Sequence, residues 1–369
     1  MARSHDMTSG SIWRSLLGFS IPIMISNLVQ STYNAVDMLF VGRFTGTESL
    51  AAVSVCGPIL NVMIITLSGM SAGVLVVISG LLGAGDIKQA QDAAHTSVAL
   101  YALMAAVMTV LGLLFVPQIL RLVQTPAAAM PEAKRYLYTV FAGTVFTFGY
   151  NLIGALQRGL GNAAASMSFV IISSAANIAL DAVFIVWLGM GAFGAALGTV
   201  LSQVAAFVIG TVQFARGGAA LRLSARAVRF HKKHLKNILL FGVPTALNEV
   251  MVNLAMLTVS GVANSFGLAS SAAYGVGSRI NSLAIFTDGA MNQTMSAYAS
   301  QNIGAGRQKR ALEGLWKAII LSAGAALGTS LLVLGFASEF SACFDSDPTV
   351  IVHSAALGGH RCGHQRPPC

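Results

Sequence analysis

Residues 16–41 read LLGFSIPIMISNLVQSTYNAVDMLFV, an apolar run of transmembrane length crossed by a column of polar side chains. A helix needs about 20 predominantly apolar residues to span a bilayer. The run is too long for a signal-peptide core, and Pro22, Asn27, Gln30 and Asp37 inside it mark a retained helix. Asn27, Gln30, Asn34 and Asp37 follow one another at spacings of 3, 4 and 3. That spacing puts all four on one helical face.

Further apolar runs recur along the whole chain. The predicted membrane spans are 14–41, 51–80, 94–117, 134–156, 166–188, 193–214, 236–263, 272–300 and 311–336, about nine helices in an all-α polytopic membrane protein. Composition agrees, with 55% hydrophobic and only 9% charged residues, against about 25% charged in a soluble domain. The net charge of +9 sits between apolar runs rather than on a soluble basic face, so no nucleic-acid partner is expected. Four cysteines without paired spacing supply no disulfide framework.

Lys and Arg alternate along the loops. Arg3 and Arg14 precede the first span, and the connection between the sixth and seventh spans carries Arg216, Arg222, Arg226, Arg229, Lys232, Lys233 and Lys236. Arg307, Lys309 and Arg310 follow the eighth span. These segments share one side if the N-terminus is cytoplasmic, as the bias of cytoplasmic loops toward Lys and Arg predicts.

An internal repeat is legible. Phe19 and Pro22 recur as Phe241 and Pro244, and Ala51, Ala52, Val55 and Ile59 as Ala272, Ala273, Val276 and Ile280. Gly83-Ala84-Gly85 and Lys88 recur as Gly304-Ala305-Gly306 and Lys309. Six helices separate the copies, so the repeats run parallel about an axis normal to the membrane, a transporter architecture. The expected organisation is an N-terminal lobe at 1–214, a basic cytoplasmic loop at 215–235, a partial C-terminal lobe at 236–345 and an aberrant tail at 346–369. The tail, with His360, Cys362 and His364 at a spacing that matches no standard zinc motif, is read as a truncated or frame-shifted end rather than a zinc site.

Ionisable residues inside membrane helices are functional-site candidates. Here they are Asp37, Asp181, Glu249 and Asp288. Asn177 lies one turn from Asp181, Asn253 one turn from Glu249, and Asn292 one turn from Asp288. Thr199 and Gln203 share a helix, while Tyr136, Thr139, Gly143 and Thr147 line another. Carboxylate, amide and hydroxyl oxygens suit a hard cation such as sodium. A desolvated aspartate can instead carry a proton. Gly83-Ala84-Gly85-Asp86 spells the Gly-x-Gly-Asp of intramembrane proteases, but the repeat places Arg307 opposite Asp86, so it reads as a helix-terminating turn. With no nucleotide-binding lysine motif, no enzymatic activity and no cofactor are expected.

These segments resemble the multidrug and toxic compound extrusion (MATE) family. The resemblance rests on Ile21-Pro22 through Gln30, Tyr33-Asn34-Ala35-Val36-Asp37, Phe40-Val41-Gly42-Arg43, Asn177 through Asp181, Gly194-Ala195-Ala196 with Ser202-Gln203, and Gln301-Asn302-Ile303-Gly304-Ala305. It covers roughly residues 11–352 and implies two six-helix lobes around a central cavity. It also implies exchange of cytoplasmic organic cations for sodium or protons, in a bacterial plasma membrane. The implied cation site is Asp37, Asn177, Asp181 and Thr199 with Tyr136 nearby. Gln30, Asn34, Gln203, Glu249, Asn253, Asp288 and Asn292 are cavity-lining candidates, Glu249 matching the family's C-lobe acidic site. The expected partners are cationic amphipathic small molecules and membrane lipid, and a monomer is expected. A flippase for lipid-linked sugars is the alternative of the same superfamily. A non-transporting remnant is the alternative of another class.

Overall fold

The structure, a computed structural model, describes residues 6–216, 221–266 and 288–335. The described residues form helices and turns, with no strand among them. The helices are α1 (Ile12–Phe44), α2 (Thr47–Gly83), α3 (Ile87–Leu122), α4 (Met130–Gly159), α5 (Ala163–Asp181), α6 (Gly191–Arg216), α7 (Lys232–Ser265), α8 (described over 288–304) and α9 (Gln308–Gly335). Eight of them are long and apolar enough to cross a membrane. The predicted first half of α8 and the 346–369 tail lie outside the described residues.

The helices overrun the apolar spans at their ends because local chemistry starts them earlier. α3 begins at Ile87, not at 94, since the Asp86 side chain caps it by accepting from the Gln89 N–H at 3.0 Å. That hydrogen bond holds the Asp86 carboxyl below its usual value of 3.8. The preceding turn is the predicted terminator. Gly85 takes φ +73°, and the Asp86 N–H bonds the Leu81 carbonyl at 3.0 Å, closing α2 in the left-handed way glycine favours. Gly306, also at φ +73°, and Arg307 N–H to Asn302 O at 2.8 Å reproduce the turn in the second copy.

α1 to α6 bundle together, with α4 against α6, α3 and α2, and α5 between α1 and α6. Membrane helices associate through close packing of small residues and through interhelical hydrogen bonds. Gly143 of α4 receives Val200 of α6, and Gly112 of α3 receives the ring of Phe141.

The two copies meet across glycine seams. Gly69 and Gly73 of α2 lie on the α7 backbone at Ile238 and Gly242 and on Ala246. Gly83 touches the backbone of Gln301, and Gly304 touches that of Gly80. The repeat aligns Gly80 with Gln301 and Gly83 with Gly304, so this contact is related to itself by a local two-fold. Two segments cross the seam at the same end. Met7 is fully buried, donates its N–H to Gln301 Oε1 at 3.1 Å and accepts from Asn302 Nδ2 at 3.2 Å. The linker ahead of α7 lies on α3, where the Thr96 hydroxyl accepts the His231 N–H at 3.3 Å.

Candidate functional site

The polar core of the first lobe forms where α5 loses its regular pitch. The helix ends at Asp181 and continues as a π-helical stretch, Ala182–Trp187, with Leu188 N–H bonding Val183 O at 3.0 Å. The predicted helix at 166–188 is therefore two segments, and Asp181 sits at their junction. Such wide turns recur at functional sites because they leave backbone and side-chain positions irregular.

Asp181 is fully buried and Asn177, one turn earlier, is 2% exposed. Apart from the contact of the two carboxyls with each other, both oxygens of Asp181, both amide atoms of Asn177 and Oδ1 of Asp37 have no hydrogen-bond partner. Buried polar atoms are nearly always paired, so five unpaired atoms on two facing helices are an unsatisfied set of donors and acceptors. The carboxyls of Asp37 and Asp181 approach each other, and the Tyr33 and Tyr136 hydroxyls are within electrostatic reach of both. Tyr136 is buried with Val41, Cys56 and Phe141, which form an apolar wall. Among the described residues no three His, Cys, Asp or Glu side chains cluster. The donors present are hard oxygens that match a proton or sodium ion as cargo better than a resident transition metal.

The remaining predicted residues divide. Thr199 is half-buried on α6 beside Gly198, where a β-carbon would overlap Asp181 Oδ1. Gln203 accepts from the Thr147 hydroxyl, tying α6 to α4. Thr139 turns back to its own helix, bonding Arg135 O at 2.8 Å, and Gly143 is occupied in packing, so the predicted α4 column does not act as one surface. Gln30 and Asn34 are exposed, and Gln30 faces the Tyr33 hydroxyl.

Glu249 is drawn across the seam. It accepts from the Ser68 hydroxyl of α2 at 2.6 Å. Asn253 bonds the Glu249 backbone carbonyl at 2.8 Å, not its carboxylate. Asp288 and Asn292 are exposed along a groove between α8 and α9 that also holds Met295 and Leu315. Asn292 accepts from Ser296 at 3.5 Å.

Sequence reasoning passed over Tyr33, Gly198 and Ser68. Tyr33 was visible as the residue one turn before Asp37. Nothing distinguishes Ser68 or Gly198 from the other small residues of α2 and α6 until the helices are packed.

The MatE family model matches residues 22–183 and 244–358, beginning at the two prolines that the internal repeat aligns. The chain is 29% identical over 308 residues to the probable multidrug resistance protein YpnP of Bacillus subtilis, covering 84% of this chain and 69% of that one. It is 30% identical over 319 residues to the probable multidrug resistance protein YoeA of the same organism, covering 83% and 68%. Among solved structures, a MATE protein in its straight conformation superposes with a TM-score of 0.90 at 25% identity, over 97% of this chain and 80% of that one. An outward-facing multidrug resistance MATE transporter gives 0.90 at 25% identity, again over 97% and 80%. With the family model, the multiple spans and the superposition agreeing, the chain belongs to the MatE family and is a membrane transporter, not an enzyme.

Proposed function

We propose that this protein is a secondary active antiporter that exports organic cations from the bacterial cytoplasm in exchange for sodium or protons, with its N-terminus on the cytoplasmic side. The observation that carries the reading is the set of five unpaired buried polar atoms on Asp37, Asn177 and Asp181. A cation engages the four oxygens of this set, and its loss leaves them bare, so occupancy changes the free energy of any state that encloses them. Asp37 and Asp181 supply negative charge, the Asn177 amide oxygen a neutral ligand, and Thr199 a hydroxyl at the rim. The multidrug resistance names of the Bacillus relatives support drug-like cargo. The exposed column of Gln30 and Asn34, on the same face of α1 as Asp37, gives that cargo a polar path near the ion site.

The proposal is tested by efflux of a cationic dye from vesicles under an imposed sodium or proton gradient. Asp37→Asn and Asp181→Asn are each expected to abolish gradient-driven efflux while the chain still inserts. Full efflux in both variants would overturn the assignment.

A further inference from the structure

The linker at residues 221–231 is pinned to α3 through its backbone. Gln91 accepts from the Arg222 N–H at 2.7 Å and donates to the Arg222 carbonyl. The Ser224 N–H reaches His95 Nε2 at 3.4 Å, and the Thr96 hydroxyl contacts both the Arg229 carbonyl and the His231 N–H. Leu221 is buried beneath. These pins fix the main chain and leave the cationic side chains outside. Arg222, Arg226, Arg229, Lys232, Lys233 and Lys236 are all exposed.

The corresponding cations at the other crossing are used differently. Arg307 donates to the Thr8 carbonyl and Arg310 to the Ser9 carbonyl at 2.9 Å, so they serve the N-terminal segment. In the linker, Arg229 bonds His231 at 3.0 Å and Lys233 bonds Gln89 at 2.9 Å. Among the described residues, Arg222, Arg226, Lys232 and Lys236 form no ion pair. The acidic groups beside the strap are Asp86, which caps α3, and Asp92, which lies 3.7 Å from His231.

Depth identifies what these cations meet. Lys232 and Lys236 occupy successive turns at the start of α7. Leu239 and Leu240, one turn on, open its exposed apolar surface, about 5 Å further along the axis. Phe230, 48% exposed, lies beside Arg229. Exposed aromatic and cationic side chains where apolar surface begins mark the headgroup layer, not bulk water. Orienting a helix by loop charge requires neither a pinned backbone nor this depth. Guanidinium and ammonium groups held there are matched by phosphodiester oxygens, and juxtamembrane clusters of this size attract anionic lipid.

We infer that the pinned linker is a docking platform for anionic phospholipid headgroups of the leaflet at its end of the molecule. The test is phosphatidylglycerol retention by the full chain, purified and delipidated in detergent, then read by native mass spectrometry against phosphatidylcholine. The wild-type chain is expected to keep phosphatidylglycerol selectively and to lose that selectivity as added salt screens the charges. Arg222→Gln with Arg226→Gln, and Lys232→Gln with Lys236→Gln, are each expected to weaken retention, by about fivefold per charge removed. Arg121→Gln, at the far end of α3, is expected to change nothing. Equal retention of the two lipids by the wild type, insensitivity to salt, or equal losses in Arg121→Gln would each overturn the inference. Unchanged retention in both linker variants would overturn it as well, and Arg226→Gln alone, whose side chain is exposed, keeps the test open if the paired variants fail to fold.

Discussion

Gly198 of α6 abuts the carboxylate of Asp181 on α5, so closely that a β-carbon at position 198 would overlap Oδ1. The proposed ion site therefore depends on a missing methyl group as much as on its acids. Gly198→Ala is expected to push the Asp181 carboxyl out of register with Asp37 and to abolish ion-coupled dye efflux. Gly57→Ala, where nothing lies within 4 Å, should leave efflux intact. Wild-type coupling in Gly198→Ala would show that the site tolerates the displacement.

The hydrogen bond from Ser68 to Glu249 at 2.6 Å joins the two lobes inside the membrane. If the proposed antiport works by rocking α1–α6 against α7–α9, the two parts separate there. With the four native cysteines replaced by serine, Ser68→Cys and Glu249→Cys together are expected to cross-link on oxidation. The cross-linked chain should stop transporting and recover on reduction. Free transport by a fully cross-linked chain would show that this seam does not open.

Gly83 and Gly304 are expected to be the least replaceable glycines of the seam, since each backbone sits on its partner's. Gly83→Ala and Gly304→Ala should each cost about 1–3 kcal/mol through overpacking, read as a lower melting temperature in detergent. Gly85→Ala and Gly306→Ala act differently, with open space around them but φ at +73°, and should cost about 1–2 kcal/mol through backbone strain. Mutating both Gly83 and Gly304 should be non-additive because their two contacts, with Gln301 and Gly80, lie in the same α2–α8 crossing.

Gln91 holds the linker by both backbone groups of Arg222. Gln91→Ala should release the strap and speed tryptic cleavage at Arg222, Arg226 and Arg229 in detergent. In the same cysteine-free background, Ser224→Cys should resist an impermeant reagent applied outside intact cells and react after lysis. External labelling would reverse the proposed orientation.

The pH dependence of α3 follows from its cap. The Asp86 carboxylate accepts from the Gln89 backbone N–H, which favours the ionised form and lowers its pKa. A carboxyl lowered on folding adds stability above its unfolded value and loses it as pH falls through the folded one. Asp86→Asn should therefore differ most from wild type near neutral pH, and the gap should close as pH drops below 3.8. A gap that persists in acid would assign the effect to shape, not charge.

Periodicity alone made much of this protein legible. Spans are readable because a bilayer demands about 20 apolar residues in series, a one-dimensional property. The terminating turns at Gly85 and Gly306 were readable because only glycine takes a left-handed backbone cheaply. Asp37 and Asp181 were readable as candidates because charge within apolar sequence is costly wherever it lies, and Asn177 because it lies one turn from Asp181. The α4 column was not, because spacing says which residues share a face but not which helix that face meets. Thr139 satisfies itself on its own helix, whereas Thr147 reaches Gln203.

The sequence by itself determined the membrane class, the repeat, the helix-ending turns and the intramembrane acids of the candidate site, all of which follow from local composition and spacing. Only the tertiary structure decided that Asp181 sits on a π-helical junction, that Gly198 makes its room and that Ser68 takes the Glu249 carboxylate across the seam. It also decided that the linker is pinned with its cations outward. Those outcomes depend on which helices touch, and contact between helices is set by the joint shape of small residues far apart in the chain, such as Gly83 with Gln301 and Gly304 with Gly80, which no single stretch of sequence encodes.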